Sequence, residues 1–190
     1  EETGAMRGVS TTFPQVYADL DTKSLLTAYE SGPRRLREAL RDLSDASLRA
    51  EAQPGRWSIM NVALHLADSE LVGAVRIRQV LGGDDPLMPA YDQDRWSVDL
   101  SYEEADDSCI ARALDLFELL RATTFPLLRA ATPQDWSRPG EHPEHGRITL
   151  RNLLELYADH SERHVEQIVE RRRILGSPIE LPPLLPRRLY

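Results

Sequence analysis

A single cysteine, Cys109, stands in 190 residues. It cannot close an internal disulfide, and such sparse use of cysteine fits a reducing compartment rather than a cross-linked secreted scaffold. No run approaches the roughly 18 consecutive apolar residues that a bilayer-spanning helix requires, and the N-terminal stretch lacks the basic-then-apolar layout of a secretory leader. A cytoplasmic location with no membrane partner is expected on these grounds. Positive charge is also short: 23 Lys and Arg against 31 Asp and Glu leave a formal net charge of -8. That balance repels phosphate backbones, so nucleic acid is not an expected partner. Internal repeats, low-complexity tracts and glycine-rich phosphate loops are missing, and no stretch keeps the two-residue alternation of a half-buried strand.

What is present is an ordinary globular composition, 41% hydrophobic and 28% charged, in a chain long enough for one core. Residues 1–190 are expected to form a single domain, with Glu1 to Ala5, ahead of Met6, read as a vector-derived remnant. Four segments carry helical periodicity, near 22–43, 58–82, 102–130 and 149–176. Their similar lengths predict an all-α fold, a four-helix bundle with long connecting loops. Ser58 and Thr149 sit where N-caps belong, and Gly82-Gly83 and Gly176 where helices end. Pro33 and Pro126 fall inside the first and third segments, and each is expected to kink or split its helix. The connections Leu43 to Trp57, Gly83 to Leu100 and Thr132 to Ile148 are long enough to line a pocket.

The chemistry-bearing residues lie on two inward faces. The fourth segment places Leu150, Leu153, Leu154, Tyr157, His160, His164, Ile168 and Leu175 on one stripe. His160 and His164 differ by about 40° around the axis and about 6 Å along it, so both imidazoles can reach one point beside the helix. The second segment places Val62, His65, Ser69, Val72 and Arg76 on its inward face. Burying these polar groups without partners costs roughly 1–3 kcal/mol each. A hydrogen-bonded core histidine accounts for any one of them, whereas a metal ion with ordered water would satisfy the set. Neutral imidazoles suit Zn, Ni, Fe and Cu, and three protein ligands leave positions open for catalysis.

Other residues are assigned plainer roles. Ser161 stands where the glutamate of HExxH would be, so a zincin peptidase is not expected, and Glu162 is read as solvated. His142 and His145 are read as an exposed turn rather than as ligands. Arg34-Arg35 and Arg171-Arg172-Arg173 are read as solvating helix faces and suiting helix C-termini, and Cys109 as core packing.

Several blocks recur together in one family. Pro54-Gly55-Arg56-Trp57-Ser58-Ile59, then His65-Leu66-Ala67-Asp68-Ser69-Glu70 and Arg76, then Pro89-Ala90-Tyr91-Asp92-Gln93-Asp94-Arg95-Trp96, resemble the DinB superfamily, especially its YfiT-like branch of metal-dependent hydrolases. The likeness continues through His142-Pro143-Glu144-His145-Gly146-Arg147-Ile148-Thr149-Leu150 to His160 and His164, in family order across about residues 30–175. Glu70 stands where a histidine is common in that branch. The resemblance implies a four-helix bundle, often a homodimer, with a metal held by three histidines, here His65, His160 and His164. It also implies one divalent transition metal ion, zinc or nickel, and a small-molecule substrate. The broader superfamily includes transferases that use low-molecular-weight thiols such as bacillithiol or mycothiol, and a thiol-dependent isomerase.

The expected function is thus a metal-dependent hydrolase or a thiol S-transferase, with a non-catalytic metal-binding bundle of a stress response as the alternative. Asp68, one turn beyond His65, is a candidate to orient an imidazole or act as a base, or else to form a surface salt bridge. Arg76, about 16 Å along the helix from His65, is a candidate for an anionic substrate group or for a buried ion pair. The resemblance suggests that Tyr91, Asp92 and Arg95 fold over the open end of the site. Trp57, Trp96 and Trp136 are read as loop anchors.

Overall fold

The computed structural model describes residues 13–186 and Leu189; Glu1 to Ala5 lie outside the described residues. The four periodic segments are helices: α1 (Thr22–Leu40), α3 (Ile59–Gly82), α5 (Asp107–Ala130) and α7 (Leu150–Ile174). Their starts follow from local chemistry. Ser58 Oγ accepts the Asn61 N–H, and Thr149 with Asn152 forms a reciprocal capping box. Gly83 returns its N–H to Gln79 O, and Gly176 adopts φ 77 just beyond α7.

The connections hold short helices, α2 (Asp45–Arg49), α4 (Gln93–Asp99) and α6 (Pro133–Trp136), and a 3-10 turn at Tyr102–Glu104. They also hold an antiparallel hairpin, β1 (Pro139–His142) with β2 (Gly146–Thr149). The four long helices form the expected bundle, and the hairpin is a local addition within a connection, its strands of 4 residues too short to show alternation.

α1 and α5 run unbroken through Pro33 and Pro126, so neither helix is split in two. At Pro33 the reason is visible. The missing N–H frees Tyr29 O, which instead accepts a bond from Arg121 Nη1 at 2.6 Å. Pro126 lies close to the end of α5, where few helical bonds follow it.

The helix directions follow from two apolar clusters. One gathers Leu25 and Tyr29 of α1, Ile77 and Val80 of α3, Leu128 of α5, and Leu150 and Leu154 of α7. The other gathers Leu36, Ile59, Leu66, Ala113, Phe117, Val165 and Ile168. From the first cluster to the second, α1 and α7 run forward while α3 and α5 run backward. Each long helix packs on two others, in the cyclic order α1, α7, α3, α5. Chain neighbours α1 and α3, and likewise α5 and α7, therefore sit diagonally, which requires long connections. The parallel pair α3 and α5 requires more: residues 83–106 must travel back along a helix of 24 residues, about 36 Å. That crossover carries Tyr91 and Asp92 along the outside of the bundle.

A polar layer separates the two clusters. Arg121 of α5 is 2% exposed. Its Nε donates to Glu70 of α3 at 2.9 Å, its Nη2 to Tyr157 O of α7 at 2.8 Å, and its Nη1 to Tyr29 O of α1. The Tyr29 hydroxyl closes the set by donating to Glu70 at 2.6 Å, and the guanidinium lies over the Tyr29 and Phe117 rings. Glycine is needed beside this layer: a Cβ on Gly32 would overlap Arg121 Nη1, and one on Gly73 would sit 2.5 Å from the Tyr157 ring.

Several charged residues expected in solvent are buried instead. Glu162 takes a bidentate ion pair from Arg35, at 2.6 and 2.9 Å, because α1 and the segment around Pro182 and Leu184 cover that side of α7. Arg172 is buried and donates to the carbonyls of Ala39 and Arg41 at the end of α1. Cys109 is not in the core. α5 begins only at Asp107, so this thiol lies in its first turn, half-buried, with Arg112 Nη2 3.3 Å from Sγ. Among the described residues no helix is long and apolar enough to cross a membrane.

Removing one member of a buried ion pair leaves the other charge uncompensated. Arg121→Ala is expected to lose about 3–5 kcal/mol of stability, measured by denaturant unfolding, and a loss below about 1 kcal/mol would deny the layer its role.

Candidate metal centre

α3 and α7 pack side by side and bring three imidazoles to one point. His65 Nε2 and His164 Nε2 each lie 3.1 Å from His160 Nε2, and the ligand atoms of the three fall within 4.8 Å of one another. His65 and His164 are buried and His160 is half-buried. Trp57 packs on the His65 ring at 5.0 Å. His164 Nδ1 meets Gln167 Oε1 at 2.8 Å; assigning the proton to Nδ1 turns the Nε2 lone pair toward the other two rings.

Electrostatics keep these rings uncharged. Burial, helped by the charge of Arg163, pushes His65 down to about 4. Burial and then the neighbouring His65 push His164 down to about 3, and burial holds His160 well below the usual histidine range. A neutral imidazole carries one N–H, so three converging Nε2 atoms cannot all satisfy one another. A divalent transition metal fits this donor set: neutral nitrogen ligands, close together, joined by no carboxylate among the described residues.

His160 also forms part of a cleft of about 500 Å³, together with Ser69, Arg76, Tyr91, Asp92, His142 and Tyr157. Arg76 donates through Nε and Nη2 to Pro89 O at 3.1 and 2.6 Å and through Nη1 to the Tyr157 hydroxyl at 3.1 Å. No carboxylate among the described residues pairs with it, so it braces the crossover and brings a positive charge to the cleft. Tyr91 is half-buried, its ring tilted against Trp96 at 5.0 Å, with its hydroxyl pushed up by burial against a hydrogen bond with Ser69. Asp92 lines the cleft while capping α4. Two further candidates lie elsewhere. Arg95 is exposed and pairs with Asp99. Asp68 accepts a 2.5 Å bond from the Tyr102 hydroxyl and opens on a separate depression beside Leu100 and Cys109.

Sequence reasoning missed His142. Far from an exposed turn, it is 5% exposed and stacked on His145 at 4.7 Å. Its Nδ1 accepts the backbone N–H groups of Glu144 at 3.2 Å and His145 at 3.3 Å. The proton must therefore reside on Nε2, a buried donor with no partner among the described residues. Burial, then the Arg76 charge, lowers its pKa to about 3, so the ring stays neutral. The available signal was a polar side chain two and three residues ahead of free N–H groups, in a turn closed by Gly146 at φ 66.

Comparison with known proteins identifies the family and the fold. The sequence profile of the DinB superfamily matches residues 28–168. YfiT of Bacillus subtilis, named as a candidate metal-dependent hydrolase, is 33% identical over 148 residues, covering 77% of this chain and 82% of that one. A relative of the same description from Oceanobacillus iheyensis is 30% identical over 139 residues, covering 73% of this chain and 78% of its own. The solved structure of Bacillus subtilis YfiT, described as a four-helix bundle of unusual topology, matches with a TM-score of 0.75 at 31% identity, covering 81% of this chain and 87% of that one.

The depressed imidazoles set a pH dependence for the metal-free protein. An unfolded histidine titrates near 6.5, whereas His65 titrates at about 4 and His164 at about 3. Between roughly pH 6.5 and 4 the unfolded chain takes up protons that the folded chain refuses. Stability present above that window is lost as pH falls through it, by about 1.4 kcal/mol per pH unit for each histidine. Denaturant unfolding across this range should show a shallower loss in the His65→Gln, His164→Gln double variant; parallel curves would contradict the neutral cluster.

Proposed function

Since this chain belongs to the DinB superfamily, we propose that it is a metal-dependent hydrolase of a small molecule, its single zinc or nickel ion held by His65, His160 and His164. The observation that carries this reading is the convergence of three neutral imidazole nitrogens at the edge of an open cleft. A bound divalent ion supplies Lewis acidity, which lowers the pKa of water from about 16 toward about 7. A volume of about 500 Å³ lies within the usual range for small-molecule sites.

The surrounding residues take distinct parts. Arg76 holds a fixed positive charge toward polar or anionic substrate atoms. The His142 Nε2–H donates to a substrate oxygen, its direction set by the two backbone groups that occupy Nδ1. Tyr91 and Asp92 form the outer wall, and Asp68, turned toward Tyr102, takes no part. Transfer of a low-molecular-weight thiol is the second reading. It is favoured by a separate cavity that reaches His164, since a two-substrate reaction needs two approaches.

Elemental analysis after purification without chelators should find one metal per chain in the wild type and little in His160→Ala. Full occupancy of that variant would overturn the ligand set. Turnover of an ester or amide panel, abolished by chelation, supports hydrolysis; thiol addition without hydrolysis supports the second reading, and metal without either supports a non-catalytic bundle.

His142→Asn keeps an acceptor for the turn but loses the distal donor. Its kcat/KM on the same substrate is expected to fall about tenfold or more, with metal content unchanged and partial recovery in His142→Gln. Unchanged kinetics in His142→Asn would remove His142 from the site.

A further inference from the structure

His164 also borders a second cavity of about 400 Å³, whose wall includes Arg56, Arg163 and Arg171. Arg171 follows His164 on α7 by about two turns, so the two side chains share a face, roughly 10 Å apart along the axis. Arg171 is 7% exposed, yet its guanidinium makes no hydrogen bond or ion pair among the described residues, and its Nη1 is buried without a partner. Arg56 is exposed, and its side chain is likewise unpaired among the described residues.

Burial first, then the charge of Arg56, pushes Arg171 below the usual arginine range. The nearby acids do not relieve it. Glu170 is committed to Arg173 through two bonds of 2.7 and 2.9 Å, and Glu166 is engaged in an interaction of its own. A buried charge without a partner is strongly unfavourable, and a second cation beside it adds to the strain. Guanidinium groups so placed lack only the planar or tetrahedral oxyanion that they bind best. The space continues past Trp57 to Gln93, which also borders the His160 cleft.

We propose that the Arg56–Arg171 cavity is an anion subsite, taking a carboxylate or phosphate group carried on the order of 10 Å from the reactive end of a substrate or co-substrate. The link to a reaction rests on the metal-dependent reading above; the anion site itself does not need the metal.

Calorimetric titration with inorganic phosphate and with succinate, in low-chloride buffer, tests the site on metal-free and metal-loaded protein. Saturable binding is expected in both forms, and in His160→Ala, which separates this proposal from the ligand assignment. Arg171→Gln should weaken binding at least tenfold, about 1.4 kcal/mol. Arg56→Gln should weaken it less, and Arg173→Gln should leave it unchanged.

Thermal unfolding gives an independent readout. The anion should raise the Tm of the wild type but not of Arg171→Gln, and that variant without anion should be at least as stable as the wild type. Preference for phosphate or for succinate assigns the group. Absence of saturable binding to the wild type, or wild-type affinity in both Arg171→Gln and Arg56→Gln, overturns the proposal. Should Arg171→Gln fail to fold, unweakened binding by Arg56→Gln alone does so.

Discussion

The ion pair of Arg121 with Glu70 is the interaction on which the bundle's register depends. A guanidinium 2% exposed must have every direction of its fork answered. Here the answers come from three other helices: a carboxylate from α3, a carbonyl from α1 and a carbonyl from α7. Apolar contacts above and below this layer supply the larger driving force, but they are non-directional and tolerate sliding. Hydrogen bonds to a buried charge do not. Glu70 lies five residues after His65, and Tyr157 three before His160. The layer that fixes α3 against α7 thereby fixes the distance at which the imidazoles meet.

Division of labour follows from the topology. The rigid helices carry the three histidines, and the connections carry what surrounds them. Because α3 and α5 run parallel, the chain must return along the bundle, and this return lays Tyr91 and Asp92 over the cleft, held by the bonds from Arg76 to Pro89 O. The diagonal step from α5 to α7 makes room for the hairpin that presents His142. The step from α1 to α3 delivers Arg56 and Trp57. Each wall is thus a consequence of how the helices are ordered, not an added feature.

Much of the frame is legible in one dimension. The helix starts at Ser58 and Thr149 and the stops at Gly83 and Gly176 rest on hydrogen bonds spanning a few residues, so their residue types announce them. The meeting of His160 with His164 follows from helical spacing, and the polar character of the His65 face hinted at a shared site. Other residues misled for identifiable reasons. A helical wheel places Glu162 opposite the histidines but does not say that α1 and the C-terminal segment cover that side. Pro33 reads as a break until a distant arginine takes the carbonyl it frees. The family blocks likewise do not say what each side chain meets: Arg95 pairs with Asp99, and Asp68 accepts from Tyr102.

Local order, then, was written in the sequence: which stretches are helical, where they begin, and which histidines share a face, because each depends on atoms within about one or two turns. The tertiary structure decided which charges are buried, which guanidiniums are paired and which left open, and which loop closes over the triad. Those outcomes rest on contacts such as Tyr29 with Arg121 and Arg35 with Glu162, between residues far apart along the chain. No local periodicity carries that information, since the cost of an unpaired buried group is felt only once the helices have packed.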